Sequence, residues 1–99
     1  MKEKRSATKT NSRAIPFEIG KCYFIRTVTY HLTGRVKRIA GGFLVLEDAA
    51  WIADSGRFMQ AIETGSLNEV EPVTVPVFVA VHAVTDAFLW KHALPRTQK

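Results

Sequence analysis

The sequence predicts a small all-β fold with one short helix, arranged as a strongly bent, five-stranded open barrel. Three patterns lead to this prediction. Strand-forming residues dominate positions 22–39, an apolar run follows the Gly41-Gly42 turn over residues 43–52, and every second residue from 73 to 81 is valine. Short strands separated by turns in a chain of 99 residues suit one bent barrel better than two separate domains.

Charge divides the chain into three parts. Residues 1–16 contain five basic residues and one acidic residue, residues 17–90 contain six and eight, and residues 91–99 contain three and none. We therefore predict a disordered basic N-terminal arm over residues 1–15, a barrel domain over residues 16–90, and a basic C-terminal tail. Such tails bind phosphates or acidic surfaces, or they act only as solubilising segments.

Composition argues against several classes of protein. No apolar run approaches the roughly 18 residues that cross a bilayer, and no apolar segment follows the basic N-terminus as in a signal peptide. Cys22 is the only cysteine, so neither a disulfide framework nor a thiolate metal cluster is expected. We expect a cytoplasmic protein that binds no membrane, cofactor or metal.

The first β segment is too long for one strand. We predict a break near residues 29–31 and place Gly34 inside the second strand, where a glycine permits a bend or bulge. Apolar residues of one parity are expected to share one buried face: Phe24, Val28, Leu32 and Val36.

An apolar stripe predicts a helix over residues 56–64: Phe58, Ala61 and Ile62. Asp54 or Ser55 is expected to cap its N-terminus, and Gly65 is expected to end it. We also expect Trp51 to join Phe58 in one apolar cluster that holds the helix against the barrel.

The last third of the chain is predicted to contain two strands. Residues 65–72 are interpreted as a loop, and residues 73–81 as a long apolar strand. Pro76 cannot donate to a ladder, so this strand is expected at an edge of the sheet. Asp86 is expected near a turn before a short last strand over residues 88–90. An unpaired strand of this length is an aggregation hazard, so we expect it to pair with another copy.

Residues 33–49, TGRVKRIAGGFLVLEDA, resemble the first Sm motif. In that motif a bent strand carries a glycine, here Gly34, and the next strand ends in Leu-x-Asp-Ala, here Leu46-Glu47-Asp48-Ala49. With residues 50–58 added, the stretch is similar to small Sm-like proteins of tailed phages and prophages. The resemblance implies an Sm-like, SH3-like barrel in a phage-infected or bacterial cell. It also implies a homo-oligomeric ring in which one subunit's fourth strand pairs with the next subunit's fifth.

The positions that bind uridine in Sm rings are different in this chain. An Asp and an Asn belong in the turn after the second strand, but Ala40-Gly41-Gly42 and then Phe43 stand here. The Arg-Gly pair of the second motif is replaced by His82-Ala83. We therefore expect a non-enzymatic, ring-forming structural or interaction module.

Binding of RNA or single-stranded DNA through the basic arms and a face that carries Arg35 and Lys37 is the alternative function. Arg35 and Lys37 are expected to share a strand face, with Tyr23 and Tyr30 available for base stacking. The other candidate nucleic-acid-binding residues are Arg26, Arg38 and His82. A solvated strand face, or a set of salt bridges between subunits, also explains these basic residues.

No catalytic residues are predicted. Glu47 and Asp48 are neighbours in a strand, so their side chains are expected on opposite faces. Ser55-Gly56 has no strand-turn-helix context for a nucleophile. The three histidines lack metal-ligand spacing, and His92 is expected to be solvated in the basic tail.

Overall fold

A computed structural model describes residues 16–99 of the chain. The predicted N-terminal arm over residues 1–15 lies outside the described residues. Residues 16–99 form a six-stranded antiparallel sheet and one short α-helix. The prediction of a mostly β fold with one short helix is confirmed. The sheet has six strands rather than five, and hydrogen bonds do not close it into a barrel.

One long strand organises the sheet. In chain order the elements are β1 (Cys22–Thr27), β2 (His31–Ala40), β3 (Phe43–Asp54), α1 (Phe58–Thr64), β4 (Glu69–Pro72), β5 (Val77–Ala80), a 3-10 turn (Val81–Ala83) and β6 (Val84–Leu89). On one side β3 pairs with β2, which is followed by β1 and β6. On its other side the first half of β3 pairs with β5 and the second half with β4.

The turn between β1 and β2 is held by a threonine. Thr27 Oγ1 donates to the carbonyl oxygen of Tyr30 at 3.0 Å and accepts from Tyr30 N at 3.1 Å. The predicted break in the long β segment is therefore confirmed. The turn also reverses the parity, so Phe24 and Leu32 pack on opposite faces of the sheet and Val28 is 92% exposed. The predicted shared face was wrong for this reason.

A glycine lets β2 and β3 bend together. The register between the two strands shifts between Thr33 and Arg35, where Gly34 lies. A Cβ at Gly34 would stand 3.2 Å from Leu46 Cβ and 3.3 Å from Ala49 Cβ, which is tighter than normal packing. In the bulged stretch of β3, Asp48 adopts the left-handed region with φ 51. The bulge predicted at Gly34 is confirmed, and β3 changes partner from β5 to β4 beyond it.

The two faces of the sheet carry separate apolar cores. The first core contains Tyr23, Ile25, Leu32, Val36, Leu44, Leu46, Ala49 and Val79. The second core is built with α1 and the C-terminal residues, and it contains Phe24, Ala50, Ile52, Ala61, Leu67, Val70 and Trp90. Because successive strand residues point to opposite faces, β1 and β3 contribute to both cores.

The helix is shorter at its N-terminus than predicted. It begins at Phe58, and its N-cap residue Arg57 makes no capping bond through its side chain. Asp54 accepts instead from the backbone N–H of Gly56 at 2.8 Å, so neither expected residue caps α1. Gly65 ends the helix in the left-handed conformation with φ 79, as predicted.

Trp51 does not help to hold the helix. Ala50 and Ile52 point into the second core, so Trp51 between them points to the opposite face and belongs to neither core. Phe58 packs instead in edge-to-face contacts on Phe24 and Phe88, with ring centroids 5.6 and 5.0 Å apart. The predicted Trp51–Phe58 cluster was wrong.

The strands after the helix differ from their prediction. Residues 65–72, interpreted as a loop, contain β4, and only four residues of the predicted strand over 73–81 form β5. Val73 N still donates to Ala49 O of β3 at 2.8 Å. Residues 74–76 then leave the ladder just before β5, where Pro76 lacks the N–H that a ladder needs. Asp86 lies within β6 instead of near a turn, because β6 begins at Val84, directly after the 3-10 turn.

The C-terminal segment, residues 90–99, is docked on the fold. Trp90 is 4% exposed in the second core, and His92 Nε2 lies 2.7 Å from the carbonyl oxygen of Ile62. Lys99 exchanges two backbone hydrogen bonds of 2.9 and 3.1 Å with Val70, along the outer edge of β4. The expectation that His92 is solvated in a tail was therefore wrong.

Candidate functional site

Two turns lie side by side at one end of the sheet, which we name the hairpin end. The backbone N–H of Val81 in the 3-10 turn donates to the carbonyl oxygen of Gly42 at 2.9 Å. Gly41 and Gly42 have φ values of 59 and 82, so the β2–β3 turn needs residues that tolerate the left-handed region. Arg38 near the end of β2 and His82 in the 3-10 turn both lie at this end.

Arg26 is already engaged by the protein. Its Nε and Nη2 donate to the two carboxylate oxygens of Asp86 at 2.8 and 2.6 Å, and its guanidinium lies 4.3 Å from the ring centroid of Phe58. The bidentate hydrogen bond raises the pKa of Arg26 and lowers the pKa of Asp86. Arg26 thus joins β1, β6 and α1. Because its Nε and Nη2 are bonded to Asp86, they are not free to bind a phosphate.

Arg35 is likewise paired with acidic side chains. Its Nη1 donates to Asp48 Oδ2 at 2.8 Å, and Glu47 Oε2 lies 3.6 Å away. The hydrogen bond to Asp48 raises the pKa of Arg35. The left-handed conformation of Asp48 places both carboxylates beside the same guanidinium, although neighbours in a regular strand point to opposite faces.

Lys37 and Arg38 remain exposed near the end of β2, and Arg38 lies beside two phenylalanine rings. Neither basic side chain has an ion-pair partner within 4 Å among residues 16–99. Arg38, Phe43 and Phe78 line a shallow cavity of about 220 Å³ on the outer surface of β2, β3 and β5. Phe43 and Phe78 are diagonal neighbours across the β3–β5 ladder, so one surface presents cationic and aromatic groups together.

The histidines lie on three different elements. His31 begins β2 and its ring packs on Phe24 with centroids 5.7 Å apart, whereas His82 is exposed in the 3-10 turn. Residues 16–99 contain no group of three His, Cys, Asp or Glu side chains arranged to hold a metal ion. Over the same residues, no helix has the length and apolar character needed to cross a bilayer.

The outer edges of β5 and β6 have no backbone partner within residues 16–99. The hydrogen bond from Val81 N to Gly42 O fixes the alternation of the β3–β5 ladder, so the N–H and C=O groups of Phe78 and Ala80 point away from β3. By the same alternation, the bond from Trp90 N to Cys22 O shows that the N–H and C=O groups of Ala87 and Leu89 in β6 point away from β1.

An apolar groove runs beside the outer edge of β6. It has a volume of about 460 Å³ and is lined mainly by apolar side chains, including Phe17, Tyr23, Val81, Val84, Ala87 and Leu89. Phe17 packs edge-to-face on Tyr23, and the Tyr23 hydroxyl accepts from Glu18 N at 2.9 Å, which fixes one wall of the groove.

Comparison with protein-family models, curated proteins and solved structures finds no match to this chain. The Sm-like assignment therefore stays a hypothesis that rests on residues 33–58.

The structure brings together only part of the predicted site. Lys37, Arg38 and His82 lie toward the hairpin end, whereas Arg26 and Arg35 are held in ion pairs. The prediction missed Phe43 and Phe78 as surface residues. The sequence pattern did not identify these two residues as exposed, because an apolar residue in a strand is usually assigned to the core. Which strand edges remain unpaired depends on the order of the strands in the sheet, and a local sequence pattern does not show that order.

Proposed function

We propose that this chain is a non-enzymatic, Sm-like interaction module that assembles with further copies of itself. In this proposal the outer edge of β5 in one copy pairs with the outer edge of β6 in the next. The observation that carries the proposal is that these two edges expose unpaired backbone groups within residues 16–99, whereas the outer edge of β4 is bonded to Lys99. Pairing of two different edges closes into a ring when the rotation between copies allows it.

Two structural features support the Sm-like part of the proposal. Gly34 lies at the shared bend of β2 and β3, and β3 bends within the Leu46-Glu47-Asp48-Ala49 stretch. A 3-10 turn joins the two strands whose edges are unpaired, and it contacts the β2–β3 turn. Gly34 and the Leu46-Glu47-Asp48-Ala49 stretch are the residues that carry the resemblance to the first Sm motif.

Exposed apolar side chains flank both unpaired edges. Phe78 on β5 is 63% exposed, and Leu89 on β6 is 51% exposed beside the apolar groove. An uncovered edge with large apolar neighbours promotes association, so pairing between copies satisfies the backbone groups and buries these side chains together.

The sharpest test uses proline at the β5 edge. Ala80 has φ −63, which proline adopts without strain, and its N–H points outward, so Ala80→Pro leaves the β3–β5 ladder intact. We expect the wild-type chain to form an oligomer by light scattering at micromolar concentration, and Ala80→Pro to have the mass of one chain. Ala80→Val keeps the N–H and serves as the matched control.

Two results contradict the proposal. The first is a wild-type mass of one chain. The second is an Ala80→Pro protein that retains both its circular dichroism spectrum and the wild-type oligomer mass, because assembly would then use another surface.

Binding of single-stranded nucleic acid is the second candidate function. It is supported by Arg38 beside the exposed rings of Phe43 and Phe78 at the hairpin end, with Lys37 exposed on the same strand. Aromatic rings stack on bases, and cationic side chains contact the phosphates. Because the Sm base-reading residues are absent, we propose binding that depends weakly on base sequence and strongly on salt.

Affinity for a U-rich and a mixed oligonucleotide at several salt concentrations tests this candidate. Arg38→Ala and Phe43→Ala are expected to weaken binding to both oligonucleotides. Arg26→Ala would have less effect on the salt slope, because Asp86 already neutralises its guanidinium. Absence of binding at low salt, or a preference for U that survives high salt, contradicts this mode of binding.

A further inference from the structure

An aromatic cleft lies at the opposite end of β3 from the hairpin end. It has a volume of about 210 Å³ and is lined by Thr29, Tyr30, His31, Trp51, Ile52 and Ala53. We name it the Trp51 cleft. Trp51 is 46% exposed, which leaves an indole face open to solvent beside the β1–β2 turn. None of the residues that line the cleft belongs to β5 or β6, whose edges form the proposed assembly.

The sheet register places an acidic residue directly beside the tryptophan. Leu32, Trp51 and Glu71 form one row across β2, β3 and β4. Val70 points into the second core, so Glu71 lies on the same face of the sheet as Trp51. Residues directly opposite in an antiparallel pair have Cβ atoms about 5 Å apart, so Glu71 and Trp51 are neighbours on this face.

The surroundings of the cleft are acidic. Glu69 and Asp54 pair in register at the same end of the sheet. No basic side chain of residues 16–99 lies within 4 Å of the carboxylates of Asp54, Glu69 or Glu71. Lys99, whose backbone pairs with β4, directs its Nζ to the carbonyl oxygen of Leu67 at 2.6 Å. His31 lines the cleft on the β2 side, but its ring packs on Phe24 of the second core. An open aromatic face next to unneutralised carboxylates suits a cationic ligand.

We propose that the Trp51 cleft binds lysine or arginine side chains of the chain's own basic segment, residues 1–15. That segment carries five basic residues and one acidic residue, whereas residues 17–90 have a net charge of −2. Fifteen residues extend up to about 50 Å, which exceeds the roughly 20 Å length of β1 that separates the start of the described chain from the cleft. A segment of this length can therefore reach the cleft of its own copy.

Nuclear magnetic resonance of the full chain tests the contact with an internal reference. The chain has two indole N–H signals, from exposed Trp51 and buried Trp90. The test variant replaces the five arm cations with glutamine (K2Q, K4Q, R5Q, K9Q and R13Q). We expect the Trp51 indole and the backbone signals of Tyr30 and Glu71 to shift, while the Trp90 indole stays in place. High salt should reproduce the same shifts in the wild-type chain by screening.

Addition in trans measures the affinity. A synthetic peptide of residues 1–15, titrated into the full-length glutamine variant, should return the Trp51 signal toward its wild-type position. A peptide with the same five glutamine substitutions should not. Adding Trp51→Ala to the glutamine variant should weaken binding about threefold or more, and Glu71→Gln should reduce its salt dependence. Met59→Ala removes an exposed apolar side chain on α1 and should leave the affinity unchanged.

Three outcomes overturn the proposal. One is a Trp51 signal that is identical in the wild-type chain and the glutamine variant. The second is equal binding of both peptides, which would show that charge plays no part. The third is a Trp51 signal that changes only with protein concentration, because a second folded copy would then cover the cleft. The oligomer mass measured in parallel reports on β5–β6 assembly independently.

Discussion

The short strands β4 and β5 are alike in length and partner but differ at their outer edges. Each has four residues, and both run antiparallel to β3 along the same side. The outer edge of β4 is bonded to the backbone of Lys99, and β4 contributes Val70 to the second core. The outer edge of β5 has no such partner within residues 16–99, and Phe78 stands exposed on it. The chain thus protects one edge with its own C-terminal segment and leaves the other available.

The route of the C-terminal segment explains this difference. Trp90 N donates to Cys22 O at the end of the β1–β6 ladder, and the Trp90 side chain then enters the second core. The segment continues past Leu94, which packs on that core, to the edge of β4. It covers the face that carries α1 and does not reach β5. Three substitutions test how firmly the covered side is held and how it compares with the uncovered side.

Trp90→Ala should have the largest effect, because it removes the anchor of the C-terminal segment. A fully buried tryptophan contributes about 3–5 kcal/mol relative to alanine, so the free energy of unfolding should fall by that amount. Urea denaturation followed by circular dichroism measures the change. Met59→Ala, at a side chain that is 56% exposed, should change stability by less than about 0.5 kcal/mol. Similar costs for the two variants would show that the segment does not stabilise the covered side.

Arg96→Ala should have an intermediate effect. Arg96 Nη1 donates to Ala49 O at 3.0 Å and Nη2 to Val73 O at 3.4 Å, so it ties the C-terminal segment to the start of the linker between β4 and β5. Loss of these charge-assisted bonds should cost about 1–2 kcal/mol in thermal or urea unfolding. Thr97→Ala, at the exposed neighbouring position, is the matched control. An Arg96→Ala protein as stable as that control would show that the linker is held by β3 alone.

Lowering the pH should have the smallest effect on stability, and it acts on the Arg26–Asp86 pair between β1 and β6. The hydrogen bond from Arg26 lowers the pKa of Asp86 in the folded chain. The stabilisation from the pair is therefore complete above the unfolded pKa of about 3.9 and disappears as the pH falls through the lower folded value. Because both side chains are about one-third exposed, the stabilisation should be less than about 1 kcal/mol.

Comparing the wild-type chain with Asp86→Asn measures how much this ion pair contributes to stability. The wild-type chain should be more stable than Asp86→Asn at pH 6, and the two should converge toward pH 2.5, when unfolding is followed at constant ionic strength. A stability difference that is the same at both pH values would show that the carboxylate charge does not contribute.

Local sequence predicted the elements whose causes are local. The break after Thr27, the bulge at Gly34 and the end of α1 at Gly65 each depend on a turn residue and its neighbours. β4 was missed because its sequence, Glu-Val-Glu-Pro, contains a single buried apolar residue. It becomes a strand because the second half of β3 and Lys99 both pair with it.

The candidate site was predicted less completely than the fold, because its charged side chains pair with residues that are distant in the sequence. Arg26 is paired with Asp86, which lies 60 positions further along the chain, and Arg35 with Asp48, which lies 13 positions away. Arg26 and Arg35, which were predicted as candidate nucleic-acid-binding residues, therefore form salt bridges with acidic residues of the same chain. Lys37 and Arg38 have no such partner among residues 16–99, and they lie where the sequence placed them, toward the Gly41-Gly42 turn.

The alternation of backbone groups along β5 has a consequence for amide hydrogen exchange. In a single copy, the amides of Val77 and Val79 are bonded to β3 and exchange slowly, whereas those of Phe78 and Ala80 face solvent and exchange quickly. β6 shows the same two-residue period, with Ala87 and Leu89 in the fast class. Occupation of either edge by a neighbouring strand converts its fast amides to slow ones. The exchange pattern therefore reports, residue by residue, whether the edge is paired.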